Sequence, residues 1–145
     1  MKMQDHMTAQ LRDAVGLAVA FSDAMPKHLE HVVAPLLPED RHEHLSTLVA
    51  MLAEGRLVEK RTRDLLREAN AALDEVISSG TYRVERPTHD VLWLREPCRV
   101  YETRLTRYAK AAEQARKPLR ALLGQIELAL SLTSAMRTTQ ELLNQ

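Results

Sequence analysis

Cysteine occurs once in the 145 residues, as Cys98. That excludes an intramolecular disulfide framework and a multi-cysteine zinc site, and a lone thiol fits a reducing compartment. Aromatic residues make up only 3% of the chain, with one Trp and one Phe, so basic segments have little on which to stack nucleic-acid bases. Glycine numbers four, too few to build a Gly-rich phosphate loop or an oxyanion cradle, and no Gly-x-Ser-x-Gly occurs. Charge of one sign is missing too. Lys+Arg and Asp+Glu both number 20, which leaves no global field to draw in a phosphate backbone or an anionic membrane. Long apolar runs are absent: the longest, Ala14 to Phe21, falls well below the ~18 residues that span a bilayer. Asp5, Arg12 and Asp13 before it and Ser22-Asp23 after it make it a poor secretory signal, and the cytoplasm is the expected location.

What the chain does have is 45% hydrophobic residues in 16.5 kDa, enough for one core. Area scaling gives about 7,500 Å² of surface for a compact fold of this mass. A single helical domain over residues 1–145 is expected.

Apolar spacing and proline punctuation divide the chain into helices. Thr8 to Met25 places Leu11, Val15, Leu17, Ala18, Phe21 and Met25 on a wide helical face that Pro26 ends. A short helix from Lys27 to Leu37 follows, bounded by Pro26 and Pro38. From Pro38, with Glu39 and Asp40 beside the positive helix end, a three-four repeat runs from Leu45 to Ile77 and stops at Ser78-Ser79-Gly80, interrupted only by Gly55. Unbroken, that helix would be ~60 Å long, so the molecule is elongated or the helix bends at Gly55. In Thr81 to Leu94, Tyr82 and Val84 alternate with charge and Arg86-Pro87-Thr88-His89 reads as a turn, which predicts a small β-hairpin or irregular connector over 81–96. Glu96-Pro97 restarts a helix, with Tyr101, Leu105, Tyr108, Ala112 and Ala115 on one side as far as Lys117, and Pro118 kinks or ends it. Leu119 to Leu143 is apolar on nearly all sides. The fold class is thus mostly all-α: an elongated antiparallel bundle of about four to five helices, with two long helices kinked near Gly55 and Pro118.

A helix that is apolar all round must be covered all round. Ala121, Leu128, Leu132, Ala135 and Leu142 form a second seam that suits a symmetric partner, so a homodimer is expected. Tyr82, Leu92, Trp93 and Leu94 in the connector are the candidate anchor for a protein partner.

Histidine is the residue type whose clustering suggests chemistry. His28 and His31 lie i and i+3 on the short helix, and His44 follows just after the loop; two or three imidazoles with a carboxylate would suit a divalent metal. No HExxH and no paired Glu-x-x-His of a di-iron bundle occurs. Basic residues gather in two stretches, Arg56, Lys60, Arg61, Arg63 and Arg67, and Arg99 to Arg120. Glu59–Arg63, Lys60–Asp64 and Glu113–Lys117 stand four apart within them, as on a solvated face, and nucleic acid is not the expected partner. These features predict a non-enzymatic helical interaction module (an adaptor, chaperone or regulator) with no catalytic residues, no cofactor and no membrane partner. The alternatives are a metal- or ligand-binding bundle using His28, His31 and His44, and a nucleic-acid-associated regulator using the Arg99 to Arg120 face.

Overall fold

The computed structural model describes residues 2–88 and 98–145, with the side chains of 86–88 and 98–101 left aside. It is a mostly α-helical bundle with a two-stranded antiparallel sheet: α1 (Lys2–Ser22), α2 (Met25–His28), α3 (His42–Ala53), α4 (Lys60–Ser79), β1 (Thr81–Thr88), β2 (Cys98–Leu105) and α5 (Arg107–Leu143). Among the described residues no helix is long and apolar enough to cross a membrane. The accessible surface is 10209 Å², well above the ~7,500 Å² of a compact chain of this mass, as elongation requires.

The axis of the molecule is α5, which α4 and α1 flank on two sides. Its Leu119, Leu122 and Ile126 are fully buried, together with Leu66 and Leu73 of α4, Leu48 of α3 and Leu29 and Val33 next to α2. The core is built from Leu, Met, Val, Ile and Ala; the alanines at 109, 112, 115 and 129 let neighbouring backbones approach α5 closely.

Gly55 does more than bend a long helix. It stands at φ 76, and the amides of Gly55 and Arg56 donate to the carbonyls of Leu52 and Met51 at 3.1 and 2.9 Å. This is the paired closure by which a left-handed glycine satisfies the last carbonyls of a helix. The expected kinked helix is therefore two helices, with α4 starting afresh at Lys60. Buried Thr62 fixes the connection by donating its hydroxyl to the Arg56 carbonyl at 2.7 Å. Downstream, α4 ends at Ser79, where the Ser-Ser-Gly stop predicts it.

The hairpin is real but longer than expected. β1 and β2 pair in register from Thr81↔Leu105 to Thr88↔Cys98, so residues 98–105, expected as the first turns of a helix, are a strand. The helix begins at Arg107, capped by Thr106, whose hydroxyl accepts from the Ala109 amide at 3.2 Å. It then runs without interruption through Pro118 to Leu143, so Pro118 neither ends it nor divides it.

Candidate functional site

α1 is oriented by a histidine. His28, six residues past the end of α1, places its Nε2 2.8 Å from the carbonyl of Ala115. Only two turns of α5 precede Ala115, whereas α1 is about 31 Å long at 1.5 Å per residue and lies along α5. α1 therefore runs antiparallel to α5, with its C-terminal end near the level of Ala115 and its first turns toward Leu143. Its inner edge is Gln4, Met7, Leu11, Ala14 and Ala18, half-buried to fully buried.

A second edge of α1 has no covering element. Met3, Met7, Gln10, Ala14, Leu17 and Phe21 alternate spacings of four and three and include no charge; Met3, Gln10, Leu17 and Phe21 of these are exposed. Such a 3.5-residue repeat is the pattern of a helix–helix seam. α5 carries the same pattern. Gln114, Pro118, Ala121, Gln125, Leu128, Leu132, Ala135, Thr139 and Leu142 alternate four and three from its third turn to its end, again without a charge. Ala121, Leu128, Ala135 and Leu142 are exposed, and Leu132 is half-buried. Because the two helices are antiparallel, both seams look out on the same side of the α1–α5 contact and form one two-helix apolar face, turned away from α3 and α4.

The size of this face is informative. Met3 (69% exposed), Leu17 (45%), Phe21 (39%), Leu128 (45%), Leu142 (65%) and Leu143 (54%) are open to solvent; at roughly 200 Å² for a fully open large apolar side chain, they offer about 600 Å². Monomeric proteins seldom carry a larger apolar patch, and it is about three quarters of the ~800 Å² each partner gives to a standard interface. All five residues of the seam read from the sequence lie on this face. The α1 half was missed because Leu17 and Phe21 were assigned to the same face as Ala18; the shared positions Met7 and Ala14 belong to two interleaved repeats.

The expected histidine site is not assembled among the described residues. His28 is turned to the Ala115 carbonyl, His31 is exposed, and His44 places Nδ1 2.8 Å from Glu68 Oε1, which also meets Arg41 at 3.3 Å. Among the described residues no group of three or more metal-ligating side chains gathers, so the structure does not bring His28, His31 and His44 into a metal centre. Like His28, His42 ties backbone, its Nε2 lying 2.8 Å from the Ala34 carbonyl and 3.2 Å from that of Leu37. Tyr82 is 46% exposed on β1, while Leu92, Trp93 and Leu94 lie outside the described residues.

The basic face from Arg99 to Arg120 is not one helical surface, because Arg99 and Arg104 belong to β2 and only residues from Arg107 onward are helical. Arg104 meets Glu102, and Arg116 meets Asp74 of α4. The i to i+4 ion pairs expected on the helices are replaced by others. Arg56 bonds Glu59 at 2.8 Å, which holds its guanidinium more firmly protonated than usual, Arg63 bonds Asp64, and Arg67 reaches Glu127 of α5 at 2.7 Å. With Glu59 occupied in this way, α4 starts without a side-chain cap and with no acid in its first turn. Compared with known protein families, curated proteins and solved structures, the chain matches none.

Proposed function

We propose that this protein is a non-enzymatic helical interaction module, acting as an adaptor, chaperone or regulator, and that it works as a homodimer joined through the apolar face of α1 and α5. The observation that carries this reading is the pair of uncharged 3.5-residue seams on one side of the molecule. A second copy supplies the same two seams, so a two-fold arrangement makes a four-helix interface from α1 and α5 of each chain. Joining two such faces removes about 600 Å² of apolar surface per chain from water, a total at the lower end of the ~1,200–2,000 Å² that stable interfaces bury. The hairpin lies at the opposite end of α5 from α1's first turns, with Tyr82 open on it. In a dimer it remains free to meet a further protein partner.

The test is the solution mass by light scattering across micromolar concentrations. The expected value is twice the 16.5 kDa chain mass, falling to one chain mass in the Leu17→Lys/Leu128→Lys variant. A wild-type mass of one chain at every concentration overturns the reading.

A further inference from the structure

Between the first two turns of α4 and residues 127–137 of α5 lies a groove of about 390 Å³, within the ~300–1,000 Å³ range of small-ligand sites. Four cations line it, Lys60, Arg63, Arg67 and Arg137, with one carboxylate in the lining, Glu127, and a second, Asp64, bonded to Arg63 at 3.1 Å, which leaves Lys60 and Arg137 as the excess positive charge. In a chain whose formal net charge is zero, this is a local concentration of positive charge. Glu127 engages only the Nε edge of Arg67, at 2.7 Å. Among the described residues Lys60 and Arg137 have no carboxylate within ion-pair reach, and the hydroxyls of Ser131 and Ser134, also in the lining, make no hydrogen bond. No acid stands in the first turn of α4, and Glu59 at its cap is bonded to Arg56.

We propose that this groove binds a linear run of phosphoryl groups. Guanidinium and ammonium groups match phosphate oxygens in charge and geometry, and the two serine hydroxyls supply neutral donors beside them. Lys60 and Arg67 are about 10 Å apart along α4, a span that suits consecutive phosphoryl groups better than a single one. No aromatic side chain lines the groove, so nothing stacks on a base and recognition rests on the phosphates themselves. The groove faces away from the α1–α5 seam and stays open in the dimer.

The experiment is calorimetric titration of the full chain at low salt with three probes: inorganic tripolyphosphate, a single-stranded oligonucleotide of mixed sequence, and an oligoglutamate of matched charge. Tripolyphosphate binds the wild type, and its affinity falls about tenfold or more in Lys60→Gln/Arg137→Gln, whose two exposed, unpartnered side chains leave the fold intact by circular dichroism. Arg107→Gln, at the hairpin end of α5, stays within about twofold. An oligonucleotide binding about tenfold more tightly than tripolyphosphate, independent of sequence, assigns the phosphates to a nucleic-acid backbone; equal or weaker binding assigns them to a small polyphosphorylated ligand. Either result supports the site. Failure of both phosphate probes to bind, wild-type affinity in the double variant, or oligoglutamate binding as tightly as tripolyphosphate overturns it.

Discussion

His28 Nε2 lies 2.8 Å from the carbonyl of Ala115, three residues before Pro118. A proline inside a helix removes one amide donor and crowds the carbonyl of the preceding turn. The donor that His28 brings from outside the helix therefore reaches α5 in the turn that Pro118 disturbs. The carbonyl that Pro118 leaves without a helical donor is that of Gln114, one residue earlier, so His28 anchors this turn of α5 to the rest of the bundle and does not replace the lost bond. Replacing His28 by Ala should cost about 1–2 kcal/mol, as loss of a part-buried hydrogen bond does. His31→Ala, at an exposed position, should stay within about 0.5 kcal/mol. Urea unfolding of both variants at one protein concentration measures the difference.

Where the hairpin leaves the bundle, the carbonyl of buried Gly80 accepts the Thr106 amide at 2.8 Å. A Cβ placed on Gly80 would meet the Thr106 hydroxyl and, at 2.6 Å, the Cβ of Ala109. The Ala109 Cβ cannot yield without moving the backbone, and the Thr106 hydroxyl can turn away only by giving up the cap of α5. Gly80→Ala should destabilise by about 1–3 kcal/mol through overpacking. Exchange of the Thr106 amide should accelerate in the same variant, which hydrogen-exchange mass spectrometry can follow.

At the α3–α4 connection two substitutions probe different causes. Gly55→Ala meets open space, so its cost, about 1 kcal/mol, arises from the left-handed backbone alone. Thr62→Val keeps the shape of the buried side chain but leaves the Arg56 carbonyl without its 2.7 Å partner, for a loss of about 1–2 kcal/mol. Equal and small losses for both in thermal unfolding would contradict this account of the connection.

If a second copy covers the α1–α5 face, the folded state is linked to protein concentration. The Tm of the wild type should then rise with concentration, by several degrees over a hundredfold range. The Tm of Leu17→Lys/Leu128→Lys should not depend on concentration. Differential scanning calorimetry at two concentrations distinguishes these outcomes.

Much of this architecture was legible in the sequence because its punctuation is strong. Ser78-Ser79-Gly80 closes α4 and the alternation after Thr81 marks a strand, whereas α1 ends at Ser22 and Pro26, expected to end it, stands in the first turn of α2. The segment 98–105 was not legible as a strand. Tyr101 and Leu105, four residues apart, fall on one face of a helix and equally on one face of a strand, so their spacing does not separate the two. Pro97 suits the start of either element. Of the candidate face, the α5 seam was readable because it repeats over nearly the whole helix without a charge. The α1 seam was hidden because one helix holds two edges that share residues, and which edge is covered depends on where α5 lies. The basic groove was hidden for a related reason: Arg137 is more than sixty residues from Arg67 in the chain, and only the antiparallel packing of α4 on α5 brings them to one cleft.

The placement of α1 also governs how the chain can fold. α1 is made before α5, yet its resting place is the C-terminal half of α5, and the tie at its base already joins residues 87 positions apart. Until α5 has emerged from the ribosome, α1 has no groove to occupy and both of its apolar edges face solvent. Contacts of such sequence separation close a large loop before they yield any stabilisation, which slows the final step. The α4–hairpin–α5 unit, whose elements follow one another directly, is the part that can assemble early, with α1 docking as the last event. During that interval the newly made chain exposes more apolar surface than the finished protein does, and it is then most prone to aggregation.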